Sequence, residues 1–281
     1  MKKLLRFDWA SKYLLKHKSH FGILEGFLSE LILDNIRIKG VLGSTNQVNG
    51  VEERSSRTDF LAENSKGELI VQIQNNRESN YMLKMLYGSS KSLIDNFQGY
   101  GGARPKKLIC INIVYAPAQD DDYIYRGKSM FEGLHKKNLV EINKINGFSK
   151  TDLKDMFPEY YLIYVYNFRD VIKTSLDEWI YYFKHAAIKD DFTANGLREA
   201  KEKLSLSKLT EEERKKYESF LNVISNDPLE VLQMRLKTES LLKEKERHTK
   251  VEIAKALKSQ FVPLEIISQS TGLSVVEVQS L

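Results

Sequence analysis

Residues 59–74, "DFLAENSKGELIVQIQ", constrain this chain more tightly than any other stretch. Apolar and polar residues alternate on both sides of "NSKG", a tetrapeptide rich in turn formers, which is the pattern of a β-hairpin. With Asn64 to Gly67 as the turn, Glu63 faces Glu68 and Asp59 faces Gln72. Directly opposed residues hold their Cβ atoms ~4.5–5.5 Å apart on one face. Gln74, two residues further on, points to that face as well, and Leu69, Val71 and Ile73 fill the other. A slip of one residue would send every one of these side chains to the wrong side of the sheet.

An acid facing a second oxygen donor across a hairpin is a way to hold a divalent metal. Water and a phosphate complete the shell of such an ion, and the ion polarises a phosphodiester and activates a water. Gln72 offers a carbonyl oxygen without charge, so this pair is one negative charge short of a strong Mg²⁺ site.

The hairpin sits in a mixed α/β sequence. Two helices are expected before it: "WASKYLLKH", capped by Asp8, and "FGILEGFLSELIL", capped by Ser19. Phe21, Leu24, Leu28, Leu31 and Ile32 make the buried stripe of the second. Glu25 falls on that stripe, either at its edge or aimed inward. "IRIKGVLG" reads as a strand and the polar "STNQVNGVEERSS" as a loop. After the hairpin, "RESNYMLKMLYGSSKSLIDNF" reads as a helix whose apolar residues exceed one stripe, hence a well-covered one. "LICINIVYA" and "YYLIYVYNF" are buried strands, with short strands at "YIYRG" and "MFEGLHKKN".

Beyond residue 170 the pattern becomes helical, beginning with "SLDEWIYYFKHA", opened by Ser175. Thr210 and Glu213 form a capping box. A long helix is expected from Pro228, then two short ones around "TGLS", with Gly272 in the turn and Ser274 as cap. The expected organisation is an α/β core over 1–170, a helical extension over 171–249 and a small helix-turn-helix-like module over 250–281.

Composition enters at three points. A hydrophobic fraction of 42% over 281 residues supports a packed core. The single cysteine, Cys110, excludes an internal disulfide framework and suits a reducing compartment; within "LICINIVY" it reads as a core thiol. Charged residues interrupt every apolar run short of a membrane span, so no membrane association and a cytoplasmic location are expected. The net charge of +5 matches the excess within the first twenty residues, where Lys2, Lys3, Arg6, Lys12, Lys16 and Lys18 outweigh Asp8. That excess is either a phosphate-binding patch or a solvated helix face.

Further candidates have two readings each. Arg77 and Lys91 contact phosphate or lie solvated. Tyr81 and Tyr87 stack on bases or pack in the core with a polar tip. The closing module binds DNA or mediates packing and oligomers. Its balanced charge from Lys250 onward is poor in the basic character of a DNA reader.

The segments "LLRFDWASKYLL", "ILEGFLSELI", "RTDFLAENSKGELIVQIQNNRE", "MLYGSSK", "INIVYA", "LDEWIYYFKH", "LSLSKLTEEERKKYESF" and "STGLSVVEVQSL" together resemble the Rpn family of recombination-promoting nucleases, or PD-(D/E)XK nuclease family transposases. The resemblance implies a restriction-endonuclease-like mixed sheet with flanking helices, followed by an all-α tail. It also implies a Mg²⁺- or Mn²⁺-dependent DNA endonuclease serving recombination or transposition. Asp59 matches the family's first hairpin acid, and Gln74 the glutamine that replaces the lysine of the broader fold's motif. Gln72 stands where the family usually has glutamate. Glu25 sits where helix-borne acids of related nucleases assist the metal. The implied catalytic residues are therefore Asp59, Gln72 and Gln74, and the implied metal ligands Glu25, Asp59 and Gln72. The lost carboxylate at Gln72 keeps a second reading open: a catalytically impaired nuclease fold acting in DNA binding or as an oligomeric scaffold.

Overall fold

The computed structural model describes residues 4–15, 18–48, 51–77, 80–98, 106–116, 122–141, 157–226 and 245–281. They group into two compact units, Met1–Glu218 and Ser219–Leu281.

The first unit is built on a six-stranded mixed sheet. Its strands are β1 (Arg37–Val48), β2 (Val51–Asn64), β3 (Gly67–Asn76), β4 (Lys107–Val114), β5 (Ile124–Gly127) and β8 (Glu159–Tyr164), in the spatial order β1-β2-β3-β4-β8-β5. The hairpin strands β1, β2 and β3 run antiparallel, while β3, β4 and β8 are parallel neighbours. A separate ribbon pairs β6 (Met130–Glu132) with β7 (Leu139–Glu141). The central strand β4 is buried along nearly its whole length. A strand covered on both faces needs a continuous apolar run, which "LICINIV" supplies.

Helices cover the two faces of the sheet separately. Ser11 on α1 (Phe7–Leu15) accepts from Asn75 Nδ2 at 3.0 Å, and Ser92 on α3 (Tyr81–Gln98) accepts from Gln72 Nε2 at 3.0 Å. Residues 72 and 75 lie an odd number apart on β3, so α1 and α3 are on opposite faces. Helix α2 (Phe21–Ile32) and helix α4 (Ser175–His185) share the α1 side, where Phe7, Phe27, Trp179, Tyr182 and Phe183 form an aromatic core. Helix α5 (Leu197–Lys203) packs against α2 close enough that a Cβ on Gly26 would lie 2.2 Å from the Asn195 carbonyl oxygen. Helices α4 and α5, though they begin past residue 170, thus belong to the packing of this first unit.

Helix α6 (Glu211–Ser225) opens with the expected Thr210–Glu213 box, Glu213 N donating to Thr210 Oγ1 at 3.3 Å. In the second unit, a helix over 245–259 (α7) is followed by α8 (Leu264–Thr271) and α9 (Val275–Ser280). Ala254, Ile267, Leu273 and Val278 make its core. Gly272 takes φ +71° in the turn and Ser274 caps α9 with Glu277, both as expected. The start of the long helix expected from Pro228 lies outside the described residues.

Several expectations are corrected. "STNQVNGVEERSS" is largely strand, since β1 and β2 pair out to Val48 and Val51. Its polar composition misleads because a two-stranded arm satisfies its backbone groups by mutual pairing and requires no apolar side chains for that. Ser19 does not cap α2; the N-cap position is His20, without a side-chain cap bond. Thr174, not Ser175, caps α4 through a box with Asp177. Helix α3 is not well covered: Leu83 and Tyr87 are 69% and 71% exposed. Its buried residues include Gly88, Ser89, Ser92 and Asn96, small and polar ones that let the helix approach a polar strip of the sheet.

Candidate metal centre on the hairpin

The hairpin forms in the register that its alternation requires. Glu63 pairs with Glu68, and Asp59 with Gln72, around the turn at Asn64–Gly67. Gly67 adopts φ +121°, a conformation that side-chain-bearing residues rarely take. Arg57 lies opposite Gln74. Alternation therefore puts Arg57, Asp59, Gln72 and Gln74 on one face, under α3.

Asp59 is buried, and its carboxylate accepts from three elements. Arg57 reaches it with a two-toothed grip, Nε to Oδ1 at 3.0 Å and Nη2 to Oδ2 at 2.9 Å. Gln72 Nε2 donates to Oδ1 at 3.1 Å from β3. The Ser92 hydroxyl donates to Oδ2 from α3. A carboxylate has about four lone-pair directions, and four donors fill them here.

The amides around it are less satisfied. Gln72 Oε1 and Gln74 Oε1 are buried and without a hydrogen-bond partner among the described residues. Asn76, next on the same face, donates to Asn112 Oδ1 at 3.4 Å but leaves its own Oδ1 unmatched. Buried amide oxygens without partners are costly, and this row along one strand has unused acceptor capacity. Gly88 completes the geometry. A Cβ there would stand 3.2 Å from Arg57 Cδ and 3.3 Å from Gln72 Oε1, so a larger residue at this close approach would require those side chains or α3 to give by a few tenths of an ångström.

Glu25 is elsewhere. It lies on α2, in the layer opposite α3, and its Oε1 accepts from the Ile38 backbone N at 2.7 Å. It thus secures the start of β1, five residues from Gly43, the β1 partner of Asp59. The expected sharing of a cation between Glu25 and Asp59 is not the arrangement found. Among the described residues, no group of three or more His, Cys, Asp or Glu side chains is placed to hold a metal.

Other candidates are resolved by their surroundings. Arg77 neither contacts solvent nor stands free for phosphate: it is buried against Asp8 and stacks 4.4 Å over the Tyr115 ring. Asp8 is therefore an ion-pair partner rather than a helix cap. Burial works against its ionisation, yet the charges of Arg77 and Arg6 and the hydrogen bonds from Arg77 and the Trp9 backbone N–H hold its carboxyl below the usual range. Arg6 belongs to the same cluster, its Nε 3.5 Å from Asp8 Oδ1, and so leaves the expected N-terminal patch; Lys2, Lys3 and Lys16 lie outside the described residues. Lys91 is exposed. Tyr81 packs with its hydroxyl 2.8 Å from that of Tyr164, whereas Tyr87 stays exposed. Cys110 is a core thiol whose pKa burial pushes well up, with Asp59 adding to the effect.

Arg57, Gly88 and Ser92 were absent from the sequence-derived site. Arg57 was within reach of the alternation that placed Asp59, being two residues before it on the same strand. Gly88 and Ser92 carry no such mark, since only the docking of α3 brings them to the hairpin.

A mixed sheet flanked by helices, with an acid on one hairpin strand and two amides on the next, defines a nuclease-type α/β fold. The chain belongs to the PD-(D/E)XK nuclease family transposases, whose family model matches residues 5–234. No curated protein and no solved structure matches it. Nucleases of this family generally use divalent metal ions. The residues here fit such an ion by chemistry, since the Asp59 carboxylate and the two orphaned amide oxygens of Gln72 and Gln74 form an all-oxygen donor set. Among the described residues, no helix is long and apolar enough to cross a membrane.

Proposed function

We propose that this chain is a divalent-cation-dependent DNA endonuclease of the recombination or transposition type, with its centre at Asp59, Gln72 and Gln74. The observation that carries this reading is the pair of buried amide oxygens, unpartnered among the described residues, on the same sheet face as the buried carboxylate of Asp59. Asp59 would hold Mg²⁺ or Mn²⁺, with Gln72 and Gln74 as neutral oxygen ligands. Gln72 now presents Nε2 to Asp59, so half a turn of its amide brings Oε1 to the metal side. Such an ion supplies polarisation of the phosphodiester and a bound water of lowered pKa. Ser92 fixes the Asp59 carboxylate, and the Gln74 amide stands where it can orient a phosphate oxygen or the attacking water. Glu25 has no part in this centre.

DNA contact belongs to the first unit on this reading. Helices α8 and α9, "LEIISQST" and "VVEVQS", contain no lysine or arginine and expose Ile266 and Val276. That is the surface of a packing module and lacks the basic face of a groove reader.

One observation favours a second reading, a DNA-binding protein with impaired catalysis. Asp59 is the only buried carboxylate of the hairpin among the described residues, and Arg57 already matches its charge. A plasmid-nicking assay with Mg²⁺ or Mn²⁺ separates the two. Slow cleavage is expected from the wild type, none from Asp59→Ala, and faster cleavage from Gln72→Glu, which adds the missing charge at nearly constant volume. Undiminished cleavage by Asp59→Ala would remove the hairpin centre from the reaction. Inert wild type and inert Gln72→Glu, both still binding DNA, would leave the second reading.

A further inference from the structure

We propose that Arg57 latches the candidate metal centre: its guanidinium stands in for the cation on Asp59, and a DNA phosphate must take Arg57 before a divalent ion can take the carboxylate. Metal and DNA then load together. This inference rests on the reading of Asp59 as a metal ligand.

The hydrogen-bond geometry leaves little alternative for a free metal ion. Arg57 engages both Asp59 oxygens, at 3.0 and 2.9 Å, and Gln72 and Ser92 occupy what remains. A guanidinium keeps its charge at any ordinary pH. An incoming cation therefore meets a filled carboxylate and a fixed positive charge at the same place, and this opposition is direct Coulomb repulsion.

The latch is also the part of the cluster free to leave. Gln72 and Ser92 are buried on separate elements, and their bonds to Asp59 hold the hairpin to α3. Arg57 is less enclosed, with 12% of its side chain exposed, and its bonds to Asp59 span only two residues of one strand. Rotation about its own side-chain bonds releases the carboxylate without moving the backbone. Guanidinium binds phosphate with the same forked geometry that it uses for carboxylate. A phosphodiester is thus the ligand class suited to draw it off, and it is the substrate class the centre would act on. Linkage makes the coupling reciprocal, so DNA must tighten metal binding by the factor by which metal tightens DNA binding.

The test is binding of Mn²⁺ to the full chain, followed by loss of the free-ion EPR signal, with and without a short DNA duplex and with duplex alone as control. Arg57→Gln is expected to bind Mn²⁺ roughly tenfold or more tightly than wild type without DNA, the size of effect that one adjacent charge produces. The duplex is expected to tighten Mn²⁺ binding by the wild type and to leave Arg57→Gln nearly unchanged. Arg57→Lys, which keeps the charge but loses the fork, is expected between the two and serves if the glutamine variant does not fold. Adding Asp59→Asn is expected to abolish the gain. If neither Arg57 variant binds Mn²⁺ more tightly than wild type while Gln72→Glu does, the latch is wrong and the metal reading stands. If no variant binds Mn²⁺ with or without the duplex, both fall.

Discussion

Among the described residues of the first unit, two aspartates are ion-paired with arginine, and the two sites differ in almost every respect that governs an ion pair. Asp8 and Arg77 join α1 to the end of β3 across 69 residues of chain, with side chains 4% and 3% exposed. Arg6 adds a second positive charge at 3.5 Å, and the Tyr115 ring is stacked 4.4 Å from the Arg77 guanidinium. Asp59 and Arg57 are two residues apart on one strand, less enclosed, and surrounded by amides with unmatched oxygens. The first pair links distant elements and is enclosed, so its role is cohesion. The second links nothing that the β2–β3 ladder does not already link. On the proposed reading its role is to hold a carboxylate in readiness until Arg57 changes partners. Charge pairing is therefore not one phenomenon in this molecule: chain separation and enclosure decide whether a pair serves stability or the site.

The largest effect expected from breaking this contrast is at Asp8. Asp8→Asn leaves the buried guanidinium of Arg77 and the half-buried one of Arg6 short of their counter-charge, a loss of about 3–5 kcal/mol for a buried pair, readable by urea denaturation at neutral pH. Because the folded-state pKa of Asp8 is lowered, the unfolded chain binds the extra proton in the range between the two values. The contribution of the pair is then complete above the ordinary carboxylate pKa of about 3.9 and disappears as pH falls through the folded value. The gap between the wild type and Asp8→Asn should accordingly begin to narrow below about pH 4 and close only once pH has fallen past the lowered folded value. A gap that persists there would show that packing, and not charge, carries the effect.

Arg57→Gln should cost less, about 1–2 kcal/mol, since Gln72 and Ser92 still donate to Asp59. A loss as large as that of Asp8→Asn would erase the distinction and make Arg57 a structural staple. The smallest effect belongs to Gly88→Ala. Alanine favours the helix by up to about 1 kcal/mol. Against this, the new methyl would press on Arg57 Cδ at 3.2 Å and on Gln72 Oε1 at 3.3 Å. Net stability should change by less than about 1 kcal/mol, while the Arg57 Nε–H resonance in an arginine-selective NMR spectrum shifts. An unmoved resonance would mean that α3 yields instead of the side chain.

Much of the fold was legible because it depends on short-range periodicity. The hairpin register follows from a period of two and a four-residue turn, so Asp59 opposite Gln72 needed no tertiary information. The burial of β4 and the capping boxes at Thr210 and Ser274 were legible for the same reason, each being written within a few residues. Helical periodicity is less decisive. On α3 it proposed an apolar stripe for burial, whereas the sheet beneath is polar and the helix turns Gly88, Ser89 and Ser92 toward it. On α2 it placed Glu25 on the buried stripe, but a carboxylate at the edge of such a stripe can reach a backbone amide of the neighbouring strand, and Ile38 N is the one it finds.

What the sequence by itself determined was the hairpin and the one face shared by Arg57, Asp59, Gln72 and Gln74, because alternation along a strand is a property of the backbone. Tertiary structure alone decided which of these groups are partners. Asp59 could have remained unpaired, yet α3 docks against Arg57 and Gln72 at Gly88, and Ser92, Gln72 and the Arg57 fork fill its lone pairs. Hydrogen-bond choice depends on which donors are within about 3 Å, and that distance is set by the packing of elements far apart in the chain.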